Sequence, residues 1–181
     1  MKKFLSLVLL ILFYSSYSVA DERKTELDNL FNDLKENVPS SFEIEKKIWE
    51  IWSTHPYDQN LTKMLAKGSY LMNNQRLQEA KKVFSRVIEK DPEWAEAWNK
   101  RATVLYIIGD YKNSQRDIDK VLKLEKRHFG ALTGQGLVNI ELKNYEKAIE
   151  SYKRANEIYP SMKSPVIMIK QLKDLIKKQS I

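Results

Sequence analysis

The 181-residue chain contains no cysteine. Disulfides, thiolate nucleophiles and cysteine-based metal sites are therefore excluded, and packing alone must hold the fold. Only five glycines and five prolines occur, and none of the glycines belongs to a phosphate-cradling loop. Low-complexity segments are absent too. The two histidines, His55 and His128, lie far apart and neither has metal-ligand spacing with another candidate. His128 is expected to be a surface or packing residue. No serine stands in a nucleophile elbow, and the acidic pairs Glu43/Glu45 and Asp117/Asp119 read as solvated helix faces. These absences point away from an enzyme: no catalytic, cofactor-binding or metal-binding residue is assigned.

What is present begins with a leader-like segment. Lys2 and Lys3 precede the apolar stretch Phe4 to Phe13, and Ser18-Val19-Ala20 places small residues before Asp21. This layout predicts a signal peptide over residues 1–20, cleaved at about Ala20-Asp21, and so an exported, periplasmic or secreted protein. The apolar stretch falls short of the ~20 residues that span a bilayer. The chain carries 31 basic and 24 acidic residues for a net charge of +7, and losing Lys2 and Lys3 lowers it to +5. The charges alternate in sign along the predicted helices, which reads as a soluble surface and, with export, argues against a nucleic-acid partner.

From residue 61 onward the sequence repeats every 34 residues without an insertion. The matching sets are Met64, Trp98, Leu132; Gly68, Ala102, Gly136; Leu77, Tyr111, Tyr145; Ala80, Ser114, Ala148; Phe84, Ile118, Tyr152; and Val87, Val121, Ala155. A period of this length in helix-forming residues implies stacked helical hairpins, an all-α solenoid. Each unit has two amphipathic stretches separated by Asn73-Asn74, Gly109-Asp110 or Lys143-Asn144. Asp91-Pro92 and Pro160 close two of the units. Glycine inside a helix costs about 1 kcal/mol against alanine. Its recurrence at Gly68 and Gly136 makes sense only where two helices cross closely.

These residues resemble the tetratricopeptide repeat (TPR) family over roughly residues 61–160, with units at 61–94, 95–128 and 129–162. Ser114 for alanine, Lys126 for proline, and Met64 and Leu132 for tryptophan depart from the family pattern. Lys126 puts the turn into the third unit in question. The stretch Ala95 to Gly136 is similar to small exported TPR proteins of Gram-negative bacteria. The resemblance implies a right-handed superhelical solenoid of antiparallel helix pairs and a non-enzymatic protein–protein interaction module. It would bind a peptide or helix of an envelope partner in its concave groove. Leu65, Ser69, Met72 and Asn73 would line that groove from the first unit; Asn99, Thr103, Tyr106 and Ile107 from the second; Thr133, Leu137, Ile140 and Glu141 from the third. Tyr106, Met72 and Leu137 are the expected apolar anchors, and Asn99 the expected holder of a partner's backbone. The family's carboxylate clamp needs lysine, asparagine and arginine where this chain has Leu65, Ser69, Lys100, Gly130 and Gly134. Without the clamp, an apolar or neutral partner is expected.

Both flanks are helical in pattern. Leu27, Leu30, Phe31, Leu34 and Val38 mark one helix; Ser40 to Glu43 reads as a capping box opening a second, with Ile44, Ile48, Ile51 and Trp52 on one face. A shift of 36 residues aligns Ile44, Ile48, Ile51 and Pro56 with Ala80, Phe84, Val87 and Pro92. Residues 21–60 thus read as a degenerate fourth hairpin capping the stack, with an unrelated helical extension as the alternative. Residues 163–181 predict a C-terminal capping helix, with Ser164 as cap and Pro165 at its first position. Val166, Ile167, Ile169, Leu172, Leu175 and Ile176 form its apolar face, and Lys170, Lys173, Lys177 and Lys178 its basic one. Two rival readings follow: self-association through repeat ends, or weak contact with an anionic membrane through this helix.

Overall fold

The computed structural model describes residues 21–36 and 39–179, so the expected leader and Val38 lie outside the described residues. Every regular element among the described residues is a helix. Residues 21–35 form α1. The others are α2 (Ser41–Ser53), α3 (Gln59–Asn73), α4 (Leu77–Lys90), α5 (Ala95–Ile107), α6 (Tyr111–Leu124), α7 (Phe129–Glu141), α8 (Tyr145–Ile158) and α9 (Lys163–Gln179). Helices α3 and α4, α5 and α6, and α7 and α8 pair as three antiparallel hairpins, each stacked on the next. The result is a right-handed solenoid.

The same backbone solution closes the first helix of every hairpin. Gln75, Gly109 and Lys143, spaced by 34, take φ of 60°, 81° and 58°. The next N–H in each case reaches back across the turn: Arg76 to Leu71 O at 2.9 Å, Asp110 to Leu105 O at 2.9 Å, Asn144 to Asn139 O at 2.7 Å. This is the Schellman arrangement, and only Gly109 adopts its left-handed residue without a side-chain cost. The exits from the second helices also match. Asp91, Glu125 and Tyr159 have similar φ of −139°, −137° and −132°. Lys126 therefore leaves the turn into the third hairpin unchanged.

Within each hairpin, the small residue of the first helix is matched to the large one 16 positions later. The Phe84 ring fills the space where Gly68 would carry a Cβ, and a Cβ at Gly136 would stand 2.5 Å from the Tyr152 ring. Where the partner is the slimmer Ile118, alanine is tolerated at Ala102, and both sit in one apolar cluster. Ser114 replaces alanine without penalty because its hydroxyl donates to Ala102 O at 2.8 Å. Gly136→Ala should therefore destabilise by about 1–3 kcal/mol through overpacking, against its helix-propensity gain of about 1 kcal/mol. An unchanged or raised melting temperature would remove the close-crossing argument.

Polar side chains tie successive hairpins together, again at the repeat spacing. Arg101 on α5 makes a two-pronged ion pair with Asp117 on α6, at 2.7 and 2.8 Å, and reaches Ser85 on α4 at 3.1 Å. One repeat later Gln135 spans Ser151, at 3.0 Å, and Asp119, at 3.5 Å. Asp117 is thus a buried partner of Arg101 and not part of a solvated face. Glu45 is also engaged. It accepts from Trp49 Nε1 at 3.2 Å and from the Tyr159 hydroxyl at 2.9 Å. Burial, then the bond to Glu45, pushes the Tyr159 hydroxyl up to about 12.

The N-terminal hairpin departs from the 36-residue alignment. Val104 and Val138 are wholly buried by the preceding hairpin, whereas their counterpart Tyr70 is 64 % exposed. Helices α1 and α2 do not lie beneath α3 in that manner. They run along the loops that join the hairpins, where Leu30, Phe31, Leu34, Ile44, Ile48 and Trp52 share a core with Phe129 and Tyr159. Trp94 Nε1 donates to Trp52 O at 2.8 Å, Arg127 pairs with Asp28 at 2.6 Å, and Ser161 bonds Ser41 at 3.1 Å. Arg23 closes α1 onto the end of α2 through Ile51 O and Thr54 O. Ser40 makes no side-chain cap bond, so the expected capping box does not form.

Helix α9 continues the 34-residue register as half of a further hairpin. Pro165 and Leu172, the counterparts of Ala131 and Val138, are buried against the preceding hairpin. Ile169 and Ile176 pack with them beside Tyr152. Val166, Ile167 and Leu175 are exposed and lie outside the packed face, contrary to the single apolar face read from the sequence. Lys170 stands where the close crossing requires glycine or alanine, so a second helix cannot cross there as in the earlier hairpins. Among the described residues, α9 is the last helix of the stack.

Candidate interaction groove

Helices α3, α5 and α7 bear the residues expected on the concave side, and the structure divides them. Leu65 is 2 % exposed and belongs to the core with Phe84, so it is not a groove residue. Asn99 is also buried, and its amide donates to Glu96 Oε2 at 2.9 Å, which removes it as a free holder of a partner's backbone. Met72 and Ile140 are half-buried against core clusters. Ser69, Thr103 and Thr133 turn their hydroxyls onto Leu65 O, Asn99 O and Gly130 O of their own helices. What remains open is Asn73, Thr103, Ile107, Leu137 and Glu141, with Tyr106 half-exposed. Tyr106, Thr103 and Leu137 border a cleft of about 70 Å³ between α5 and α7, whose floor includes Gly130, Gly134, Ala102 and Ile118. The Tyr106 hydroxyl lies 3.5 Å from Glu141 Oε1. Partial burial first, and that carboxylate second, push the hydroxyl above its ordinary range.

One end of the groove is closed by α2. The Trp49 ring sits over Gly130, where a Cβ would stand 2.5 Å from it, and the Lys100 ammonium lies 5.6 Å from the same ring. Beside it, Trp52 stacks on His128 at 4.0 Å between centroids and 7° between planes. His128 is wholly buried and caps α7: its Nδ1 accepts from Ala131 N at 3.0 Å. The ring proton therefore sits on Nε2, which donates to Glu96 Oε2 at 3.0 Å. Lys100 Nζ lies 3.1 Å from Glu96 Oε1, close enough for charge attraction but without hydrogen-bond alignment. Burial alone would raise the Glu96 carboxyl; the His128 bond and the Lys100 charge outweigh it and hold the group below its ordinary value.

This Glu96–His128–Trp52 arrangement was not legible as a unit in the sequence, although two glycines inside α7 with no counterparts at 34 residues marked the place. It is a structural joint, since all three side chains are buried. Of the five clamp positions, Leu65 is core, Ser69 is self-bonded, Lys100 is spent on Glu96, and Gly130 and Gly134 carry no side chain. Among the described residues no group of three or more acidic or histidine side chains could hold a metal, and no helix is long and apolar enough to cross a membrane.

Comparison with known proteins agrees with this geometry. A family model described as tetratricopeptide repeat matches residues 65–114 and 108–163. A TPR repeat-containing protein of Rhizobium etli is 31% identical over 140 residues, covering 76% of this chain and 68% of the relative. The chain belongs to the tetratricopeptide repeat family. Hsp70-Hsp90 organizing protein 1 of Glycine max is 27% identical over 139 residues, 76% of this chain but 24% of that protein's length. Among solved structures, the first TPR of Spaghetti (RPAP3) bound to the HSP90 peptide SRMEEVD superposes with a TM-score of 0.64 at 17% identity. It covers 66% of this chain and 94% of that one.

Proposed function

We propose that the chain is an exported interaction module that binds a peptide or helix of an envelope protein in the cleft between α5 and α7. The observation that carries this reading is the cleft itself, bordered by Tyr106 and Leu137 and lined by none of the cations that a carboxylate clamp needs. Ile107 and Leu137 are 48 % and 38 % exposed, apolar surface that the described residues leave uncovered. Peptide binding by a structural neighbour lends support to a peptide as ligand. The missing clamp argues for a partner unlike an acidic tail. A rigid groove of this kind binds without the ordering cost that a flexible binder meets. Export is supported by the layout of residues 1–20 alone. Membrane contact through α9 has less support, because Ile169, Leu172 and Ile176 are committed to α8.

The test is Tyr106→Ala combined with Leu137→Ala. Each anchor should be worth about 1–2 kcal/mol in binding, so partners co-isolated by crosslinking in the cell should fall at least tenfold, with no drop in melting temperature beyond that of surface changes. Unchanged partner recovery would count against the groove.

A further inference from the structure

Gly134 weakens α7 relative to alanine, and nothing among the described residues uses its missing side chain. A Cβ there would meet only Ile118, at an ordinary 3.7 Å. Gly136 and Gly130 differ: Tyr152 fills the first space and Trp49 the second. Gly130 and Gly134 lie one helical turn apart on the same face. Trp49 therefore displays the kind of group that this face accepts, a large ring delivered by a crossing segment. Over Gly134 the cleft stands open.

One further feature beside the cleft points to a ligand. Glu141, exposed at the end of α7 beside the Tyr106 hydroxyl, forms no ion pair with a lysine or arginine among the described residues. An unneutralised carboxylate next to an apolar seat favours a basic group on the incoming segment.

We infer that the α5–α7 cleft takes a short extended segment that sets one large apolar side chain against Gly134 and a lysine or arginine against Glu141. This rests on the groove reading and specifies its ligand. The seven-residue offset between the two positions spans about 10 Å of helix, the reach of roughly three residues of extended chain. The motif is therefore an apolar anchor and a cation about three positions apart, the opposite charge character to an acidic tail.

A random linear-peptide phage library selected on the purified protein tests this. Enriched peptides should share Leu, Met, Phe or Trp with Lys or Arg about three positions away. Their affinity should fall by roughly tenfold or more in Gly134→Leu and by several-fold in Glu141→Lys, which alters only an exposed side chain and stands as the independent variant should Gly134→Leu unfold. Gly134→Ala should melt no lower than the parent, as its Cβ has room. Peptides that lack the motif and ignore both Gly134→Leu and Glu141→Lys, yet are lost from the Tyr106→Ala/Leu137→Ala variant, overturn the seat and leave the groove standing. Peptides that still bind that double variant overturn both readings. A library yielding no binder overturns the seat.

Discussion

Phe129→Ala is expected to cost about 3–5 kcal/mol and to loosen the N-terminal hairpin from the solenoid. Phe129 is wholly buried at the first position of α7. Its ring meets Phe31, Trp49, Trp52 and Tyr159 at centroid distances of 6.5, 5.3, 5.2 and 5.5 Å. Edge-to-face pairs of this kind add about 0.5–1.5 kcal/mol each beyond burial. The side chain is thus the shared floor on which α1, α2 and the end of α8 meet, and truncation leaves a cavity that three elements border. Urea unfolding followed by tryptophan fluorescence reads the loss, since Trp49 and Trp52 report directly on the joint. Limited proteolysis between α1 and α2 reads the loosening. A variant with parental stability and an uncut hairpin would show that the hairpin is held elsewhere.

Arg101→Ala should be nearly as costly, about 3–5 kcal/mol, because it leaves the Asp117 carboxylate buried without its cation. Asp117 is 4 % exposed, and both its oxygens are engaged by the Arg101 guanidinium. The guanidinium also lies 4.9 Å from the Trp98 ring, so its removal exposes an apolar face as well. The pair itself need not be strongly favourable. Replacing both members with apolar residues of similar bulk, Arg101→Met with Asp117→Leu, should recover most of the loss, as burying an ion pair carries its own desolvation penalty. Thermal denaturation of the two single variants and the double variant forms a complete cycle. Additive losses in the double variant would mean that the two residues act independently.

Much of the solenoid could be read from spacing because its contacts are themselves periodic. Gly68 with Phe84 and Gly136 with Tyr152 are pairs 16 residues apart, and a 34-residue repeat makes such pairs visible twice. Arg101 and Asp117 stand at that same spacing, so the partner of Asp117 was available to the sequence. Its neighbour Asp119 made the pair look like a solvated face instead. The N-terminal hairpin was less readable. The apolar spacing of Ile44, Ile48 and Trp52 says that one face of α2 is covered, but not by what. Its cover comes from Phe129 and Tyr159, and the ion pair that fixes it joins Asp28 to Arg127, 99 residues apart. Local periodicity carries no information about contacts of that range.

The groove was legible in outline only. The family resemblance assigned Leu65 and Asn99 to the groove, yet both are buried, because that face curves inward between hairpins where Phe84 and Glu96 take up the side chains. Tyr106 and Leu137 remain at the surface because the residues opposite them are Gly134 and Thr103, too small to cover them. The glycines of α7 were the overlooked signal. A helix that carries three of them in seven residues has some use for each, and only Gly136 belongs to the repeat.

Photo-crosslinking in the cell gives the most direct test of the account, with benzoylphenylalanine placed at Leu137 and, in a separate variant, at Val166 on the exposed face of α9. The account predicts a discrete protein adduct at position 137 that disappears when Tyr106 is also changed to alanine, and none at 166. Adducts at 166 with none at 137 would contradict it.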